Sequence, residues 1–459
     1  MPGPGIFLVP YNRNPRFTGR ADLLAQLHEK FIETKPKQYN HRVAIYGMGG
    51  VGKTQIAIEY VYRYRDDYNG IYWISASDQT ALLSGFQKIA GITGCVKNAA
   101  DLKPTEVADE VRAWLGDQDK CLLIIDNLDE ISVADDYLPD TDKGGHTLIT
   151  TRNPNAWDIP AKGFEIPLFN ESDAIDLLCI GSKPDDMVEY SDAKRLDAIP
   201  IIQELGCLAL AIIQASAFIR KCCKGDMSKY LAIYKDSRKA LLHGPSDSQY
   251  VHRRSVANTF LLSFGKVNSG AASLLCLFAF LNPDGIIPDF LKAGSHGLSA
   301  ELQKLINDDY AYLTALQSLE EYSLLSQSSS DGTIVIHRLI QAVLKDNMSG
   351  MELQKYRYDV VGVCDKAFPD VENGNRELCR RFQNQVVEPA LEAAKAHSWS
   401  ATSLLHKIGV FLREDGKYVD GVRVLTLSVN IYRALFGDNH LDTLTSMNNL
   451  ALCYGARGS

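Results

Sequence analysis

Five short apolar runs punctuate the first 170 residues: Val43–Tyr46, Ile71–Ser75, Cys121–Asp126, Thr147–Thr151 and Phe164–Leu168. They are rich in β-branched residues, and stretches with helical spacing of apolar positions separate them. Continuous apolar strands alternating with helices predict a parallel sheet covered on both faces. Such sheets bind ligands at the carboxyl ends of their strands, where Gly47, Asp126 and Arg152 fall. From residue 171 to about 245 the pattern is helical only. Glu171-Ser172-Asp173 offers N-cap candidates ahead of Ala174-Ile175-Asp176-Leu177-Leu178, and Gly206 interrupts a strongly apolar run from Ile201 to Ile219. Further helices over 255–345 lead into Thr333-Ile334-Val335-Ile336, and 351–400 reads as helix without a legible motif.

The last sixty residues repeat themselves. An offset of 42 residues pairs Ile408 with Leu450, Gly409 with Ala451, Val410 with Leu452 and Leu412 with Tyr454, and brings Gly416 onto Gly458. Each unit is a helix pair that buries its apolar face only against a neighbour. About one and a half units are present, so the sequence reads as truncated, with further repeats expected.

The chemistry starts at Gly47-Met48-Gly49-Gly50-Val51-Gly52-Lys53-Thr54, which matches G-x-x-x-x-G-K-[ST] at every fixed position. The strand Val43–Tyr46 runs into it and a helix, predicted over Gln55–Tyr64, runs out. Glycines let the backbone turn so that successive N–H groups converge on a phosphate. The helix N-terminus adds roughly half a positive charge at the same point. Lys53 then reaches the β- and γ-phosphates, and the Thr54 hydroxyl ligates Mg²⁺. Cys121-Leu122-Leu123-Ile124-Ile125-Asp126, about 70 residues on, is a buried-strand run delivering an acid toward that Mg²⁺. Thr150-Thr151-Arg152 ends the following strand with a guanidinium suited to a γ-phosphate.

Composition adds exclusions. With 459 residues, 46% hydrophobic and 23% charged, the chain reads as a globular protein of about three domains. A formal net charge of −8 gives no support for nucleic-acid or membrane binding. The only dense basic cluster near 255–345 is His252-Arg253-Arg254, so a DNA-reading role is disfavoured. Ten cysteines without metal-like spacing, the adjacent Cys222-Cys223 included, point to a reduced cytoplasmic protein. Neither Leu205–Ile219 nor Ala271–Leu281 is long enough to span a bilayer.

The ordered set Gly47–Thr54, Leu122–Asp126, Thr150-Thr151-Arg152 and Leu205-Gly206-Cys207-Leu208-Ala209-Leu210 resembles the NB-ARC class of signal-transduction ATPases, the STAND class of NOD-like receptors. Upstream Phe17-Thr18-Gly19-Arg20 is similar to that family's F-x-G-R motif, which lies against adenine. The resemblance spans roughly residues 10–350. It implies an α/β P-loop NTPase domain over 1–170 with sheet order 5-1-4-3-2, a helical domain over 171–250 and a winged-helix domain over 251–350. A helical spacer, 351–400, then joins tetratricopeptide repeats at 401–459, where Ala434–Thr443 resembles the loop of the kinesin-light-chain type. The implied ADP/ATP pocket is formed by Arg20, Gly47, Gly49, Gly50, Val51, Gly52, Lys53, Thr54, Gln55, Arg152, Leu208 and His337, with Mg²⁺ on Thr54 and Asp126. His337 takes the place of the family's M-H-D histidine, which contacts the β-phosphate of ADP. Its surroundings, Ile336-His337-Arg338-Leu339-Ile340-Gln341, match the H-R-L-[VI]-Q form of fungal members.

Two departures bear on mechanism. Ala209 replaces the Pro of the family's G-x-P motif, which packs on adenine. Asn127 stands where a second Walker B acid is usual, leaving Asp126 with Asp129 as the candidate catalytic acids. The resemblance thus implies a switch that is locked by ADP, opens and self-associates on ATP exchange, hydrolyses slowly, and meets a protein ligand through its repeats. A steadily hydrolysing ATPase and a winged-helix transcriptional regulator are the competing functions.

Overall fold

The computed structural model describes residues 5–33, 41–99, 101–139, 145–153, 161–184, 190–240, 257–283, 285–328, 331–372, 374–394 and 399–457. His252-Arg253-Arg254, the expected domain boundary at 250/251 and Gly458-Ser459 lie outside the described residues. Six parallel strands form the nucleotide-domain sheet: β1 Ile6–Leu8, β2 Arg42–Tyr46, β3 Gly70–Ser75, β4 Cys121–Asp126, β5 His146–Thr151 and β6 Lys162–Glu165. Their spatial order is β1-β3-β4-β5-β2-β6. Without β1 this is the expected 5-1-4-3-2 order. The extra strand pairs Ile6 with Gly70 at the sheet edge. Three residues flanked by Pro and Gly carry too little periodicity to be seen in sequence.

Four strands have fully buried centres, as a sheet covered on both faces requires. Helices Ala21–Glu33 and Lys53–Arg63 cover one face, and Gln79–Thr93 and Pro104–Asp117 the other. β6 stops earlier than the predicted Phe164–Leu168. The Ile166 amide still reaches the Tyr46 carbonyl at 2.7 Å, but Pro167 has no N–H to continue the ladder. Register aligns the strand ends, pairing Ser75 with Asp126 and Tyr46 with Thr151. β5 lies between β2 and β4, so Arg152 emerges between the glycine loop and Asp126.

Helices Glu171–Ser182, Asp192–Leu196, Ala198–Leu205, Ala209–Cys222 and Met227–Ala240 follow. The first is capped one residue before the expected cluster, by the Asn170 side chain accepting from the Asp173 amide at 2.8 Å. Gly206 and Cys207 both take left-handed φ, 61° and 54°, and break the apolar run into two helices. The next unit contains Ser269–Phe278, Pro288–Ala293, Ala300–Asn307 and Asp309–Glu321, then a hairpin of β7 Ser326–Gln327 and β8 Ile334–Val335. Ile286 makes an isolated antiparallel bridge to Ile334 beside this hairpin, so helices precede a small β unit, the order expected of a winged helix.

Helices Gly350–Ala367 and Arg376–Ala394 share one apolar core with the winged unit before them and the repeats after them. The expected spacer is therefore continuous with both neighbours. Trp399–Glu414 and Tyr418–Phe436 make one helical repeat, and Leu441–Arg457 opens the next. The repeat turns back onto the nucleotide domain through a buried polar junction. Thr80 Oγ1 donates to Asp420 Oδ2 at 2.5 Å and Gln383 Nε2 to Ser84 Oγ at 2.9 Å. Lys417 bonds Gln383 and pairs with Asp415 at 3.2 Å, both ions being essentially inaccessible. Arg423 pairs with Glu388 at 2.7 Å. Asp78, the N-cap of helix Gln79–Thr93, is left on the acidic side of this junction. Burial pushes its carboxyl up to about 6, and Asp420 and Glu388 add to the shift.

That shift gives a sign. The folded chain holds a proton on Asp78 between about pH 4 and 6 that the unfolded chain releases, so this group's contribution falls as pH rises through that window. Asp78→Asn keeps a good N-cap and removes the charge. We expect a gain of about 1 kcal/mol at pH 7 that disappears near pH 4, read from thermal unfolding of the full chain.

Candidate functional site

Helix Lys53–Arg63 begins on Gly52, whose φ of 103° suits glycine and whose lack of a side chain leaves the first helical N–H groups free to meet an anion. Gly50 also takes a left-handed φ, 83°, and a Cβ there would sit 3.2 Å from the Leu210 Cβ. Gly49 has no such requirement; its nearest neighbour is the Arg152 Cδ, 4.0 Å from where a Cβ would be. Val51 is buried beneath the loop, and Gln55 lies outside it, accepting from Asn14 Nδ2 at 3.2 Å.

The lysine folds back into the loop. Lys53 Nζ donates to the carbonyls of Gly47 at 2.7 Å and Met48 at 3.1 Å. Burial lowers its pKa to about 8, partly offset by Asp129 and Asp126 and aggravated by Arg152. A buried ammonium held by neutral carbonyls gains from an anion at this point.

Thr54 Oγ1 donates to Asp126 Oδ1 at 3.1 Å, and Thr150 Oγ1 donates to the same oxygen at 2.5 Å. Thr150 Oγ1 also accepts from the Asn127 amide at 2.9 Å. Two hard oxygen donors from Thr54 and Asp126 fit Mg²⁺, with Thr150 orienting the carboxylate. Thr150 was not singled out in the sequence, although its place at a strand end beside Asp126 was the available signal. Asp129 is turned to Arg152, accepting from its backbone N–H at 2.7 Å and from Nε at 2.6 Å.

The helical unit closes over the loop. The Leu210 amide donates to the Gly50 carbonyl at 3.1 Å, and Leu208 caps helix Ala209–Cys222 with its Cδ1 3.8 Å from the Gly50 Cβ position. Arg20 takes φ 61°, donates to the Pro167 carbonyl at 2.8 Å and lies 4.1 Å above the Phe169 ring. It thereby fixes the segment before the first helix onto the link between sheet and helical unit.

His337 completes the cluster from the winged unit. It N-caps helix Arg338–Asn347, its Nδ1 accepting from the Leu339 amide at 3.1 Å. An accepting Nδ1 leaves the proton of the neutral ring on Nε2. Burial, with the charges of Lys53, Arg338 and Arg152, lowers its pKa to about 4, so the ring is neutral at pH 7. A residue nearly 300 positions downstream in sequence thus shares the electrostatic field of the glycine loop.

Comparison with known proteins agrees with this geometry. Residues 20–186 match the NB-ARC domain, 262–353 a domain of unknown function (DUF7779), and 400–459 a tetratricopeptide repeat. A nucleotide-binding leucine-rich repeat (NLR)-like protein of the fungus Hyaloscypha variabilis is 29% identical over 96% of this chain and 46% of its own length. The regulatory protein AfsR of Streptomyces griseus is 24% identical over 71% of this chain and 32% of its own. This chain therefore spans under half the length of these relatives. A STAND protein with a tetratricopeptide repeat sensor from Pyrococcus horikoshii aligns over 99% of this chain and 67% of its own, at TM-score 0.49 and 11% identity. The chain carries an NB-ARC domain of P-loop NTPase type and C-terminal tetratricopeptide repeats. No described helix is long and apolar enough to cross a membrane.

The buried lysine makes a direct prediction. Between about pH 8 and 10.5 the unfolded chain keeps a proton that folded Lys53 has lost, so the nucleotide-free protein gains stability with rising pH across that window. Lys53→Met should abolish the gain, measured as the wild-type-minus-variant difference in unfolding midpoint against pH.

Proposed function

We propose that this protein is a nucleotide-gated signalling switch, held closed by ADP and opened by exchange for ATP. The observation that carries this reading is electrostatic: His337 of the winged unit lies near enough to Lys53 and Arg152 for their charges to lower its pKa, while Arg152 stands beside the loop at Gly49. A diphosphate placed on the amides of Gly49–Thr54 satisfies the buried Lys53 and gives the His337 Nε2–H an acceptor. The ligand then bridges the nucleotide domain and the winged unit. Thr54 and Asp126 would hold a Mg²⁺ ion, which would neutralise phosphate charge.

Moving such a switch from 1:99 to 99:1 needs about 5.5 kcal/mol of differential binding. One charge-assisted contact contributes about 1.5–3 kcal/mol, so His337 alone does not carry it. Engagement of a protein ligand by the repeats, or self-association of the opened form, supplies the remainder. Asn127 cannot accept a proton and Asp129 is occupied by Arg152, which favours slow hydrolysis over steady turnover. The fungal relative's NLR-like description supports an immunity-like recognition role in the cytoplasm.

The test is to denature purified protein and identify what is released. We expect ADP in stoichiometric amount from the wild type and none from Lys53→Ala. An empty site in well-folded wild-type protein, or a guanine nucleotide, overturns the reading.

A further inference from the structure

Asp129 and Arg152 form the best-defined ion pair beside the loop. The carboxylate holds both the backbone amide and the guanidinium of Arg152, with the second guanidinium nitrogen at 2.5 Å. Attachment at two points fixes the arginine far more firmly than a lone surface pair. The turn that delivers Asp129 is also specified. Asn127 adopts a left-handed φ of 64°, the Leu128 amide bonds the Thr150 carbonyl at 2.9 Å, and buried Leu128 anchors the bend. Arg152 stands beside the loop, its Cδ 4.0 Å from the Gly49 Cβ position.

We propose that Asp129 is a built-in competitor for Arg152, occupying the guanidinium that a γ-phosphate would otherwise engage and so biasing the site toward nucleoside diphosphate. This deepens, and rests on, the nucleotide-switch reading. A diphosphate fills the loop without disturbing the pair. A triphosphate must break it to reach Arg152, and it then faces the released carboxylate as a like charge. Both effects act against the triphosphate alone. Because the Arg152 side chain is 55% exposed and Asp129 25%, the bias is modest. It is a positioning role, since Asp129 acts through Arg152.

The experiment compares binding of Mg·ADP and of a non-hydrolysable Mg·ATP analogue to nucleotide-free full-length chain by calorimetry. Asp129→Asn should raise affinity for the triphosphate about tenfold and leave ADP about unchanged. Asp129→Glu should keep the wild-type ratio. In an Arg152→Ala background most of the gain from Asp129→Asn should vanish. The proposal is overturned if Asp129→Asn weakens triphosphate binding as Arg152→Ala does, because Asp129 then orients the arginine. It is equally overturned if both nucleotides shift together, as a merely structural role requires. If wild type binds neither nucleotide and matches Lys53→Ala, the switch reading fails and this proposal falls with it.

Discussion

An ammonium buried among carbonyls is the constraint around which this molecule is organised. Lys53 is 9% exposed, its Nζ rests on two backbone oxygens, and Arg152 and His337 share its surroundings. Asp126 and Asp129 offset the cation only in part, so its pKa falls. His337 stays neutral for the same reason. The loop amides, the helix N-terminus, Lys53 and Arg152 all favour an anion at one point.

Three segments distant in sequence are held to that point by different means. Strand order puts β5 against both β2 and β4, which sets Thr150 beside Asp126 and Arg152 beside the loop. The helical unit is attached by a backbone bond from Leu210 to Gly50, made possible because Gly50 has no Cβ to collide with Leu210. The winged unit brings His337 by its own fold, on the N-terminus of a helix. Of these three, the first two are built from covalently short links and backbone bonds. The third is held by side-chain contacts, Lys221 pairing with Glu321 at 3.0 Å and the Ser328 hydroxyl donating to the Pro10 carbonyl at 3.3 Å. The repeats touch the nucleotide domain at Thr80, and the helix before the repeats touches it at Ser84. Both residues lie in the first turns of Gln79–Thr93, which begins at the carboxyl end of β3, the same end of the sheet as the phosphate loop.

Much of this was legible in the chain. Apolar runs marked five strands, because buried parallel strands are nearly all apolar, whereas their spatial order came from the family resemblance. The loop, Asp126 and Arg152 announced themselves by residue type and spacing. Other features depend on tertiary contact and left no local trace. β1 is too short to show alternation. Thr150 reads as one more β-branched residue until Asp126 is seen beside it. Asp129 suggested a catalytic acid, and only the Asn127 turn reveals that it faces Arg152. The polar junction of Asp78, Asp420 and Lys417 joins residues more than 300 positions apart, which no periodicity encodes.

The central claim is that a bound phosphate, and not protein contact alone, ties the winged unit to the loop. Hydrogen exchange on the full chain, loaded with ADP or with a non-hydrolysable ATP analogue, tests it most directly. The account predicts that both nucleotides protect residues 47–54, while helix Arg338–Asn347 and its His337 cap are protected by ADP and released by the analogue. Equal protection of that helix with either nucleotide and with none would contradict it.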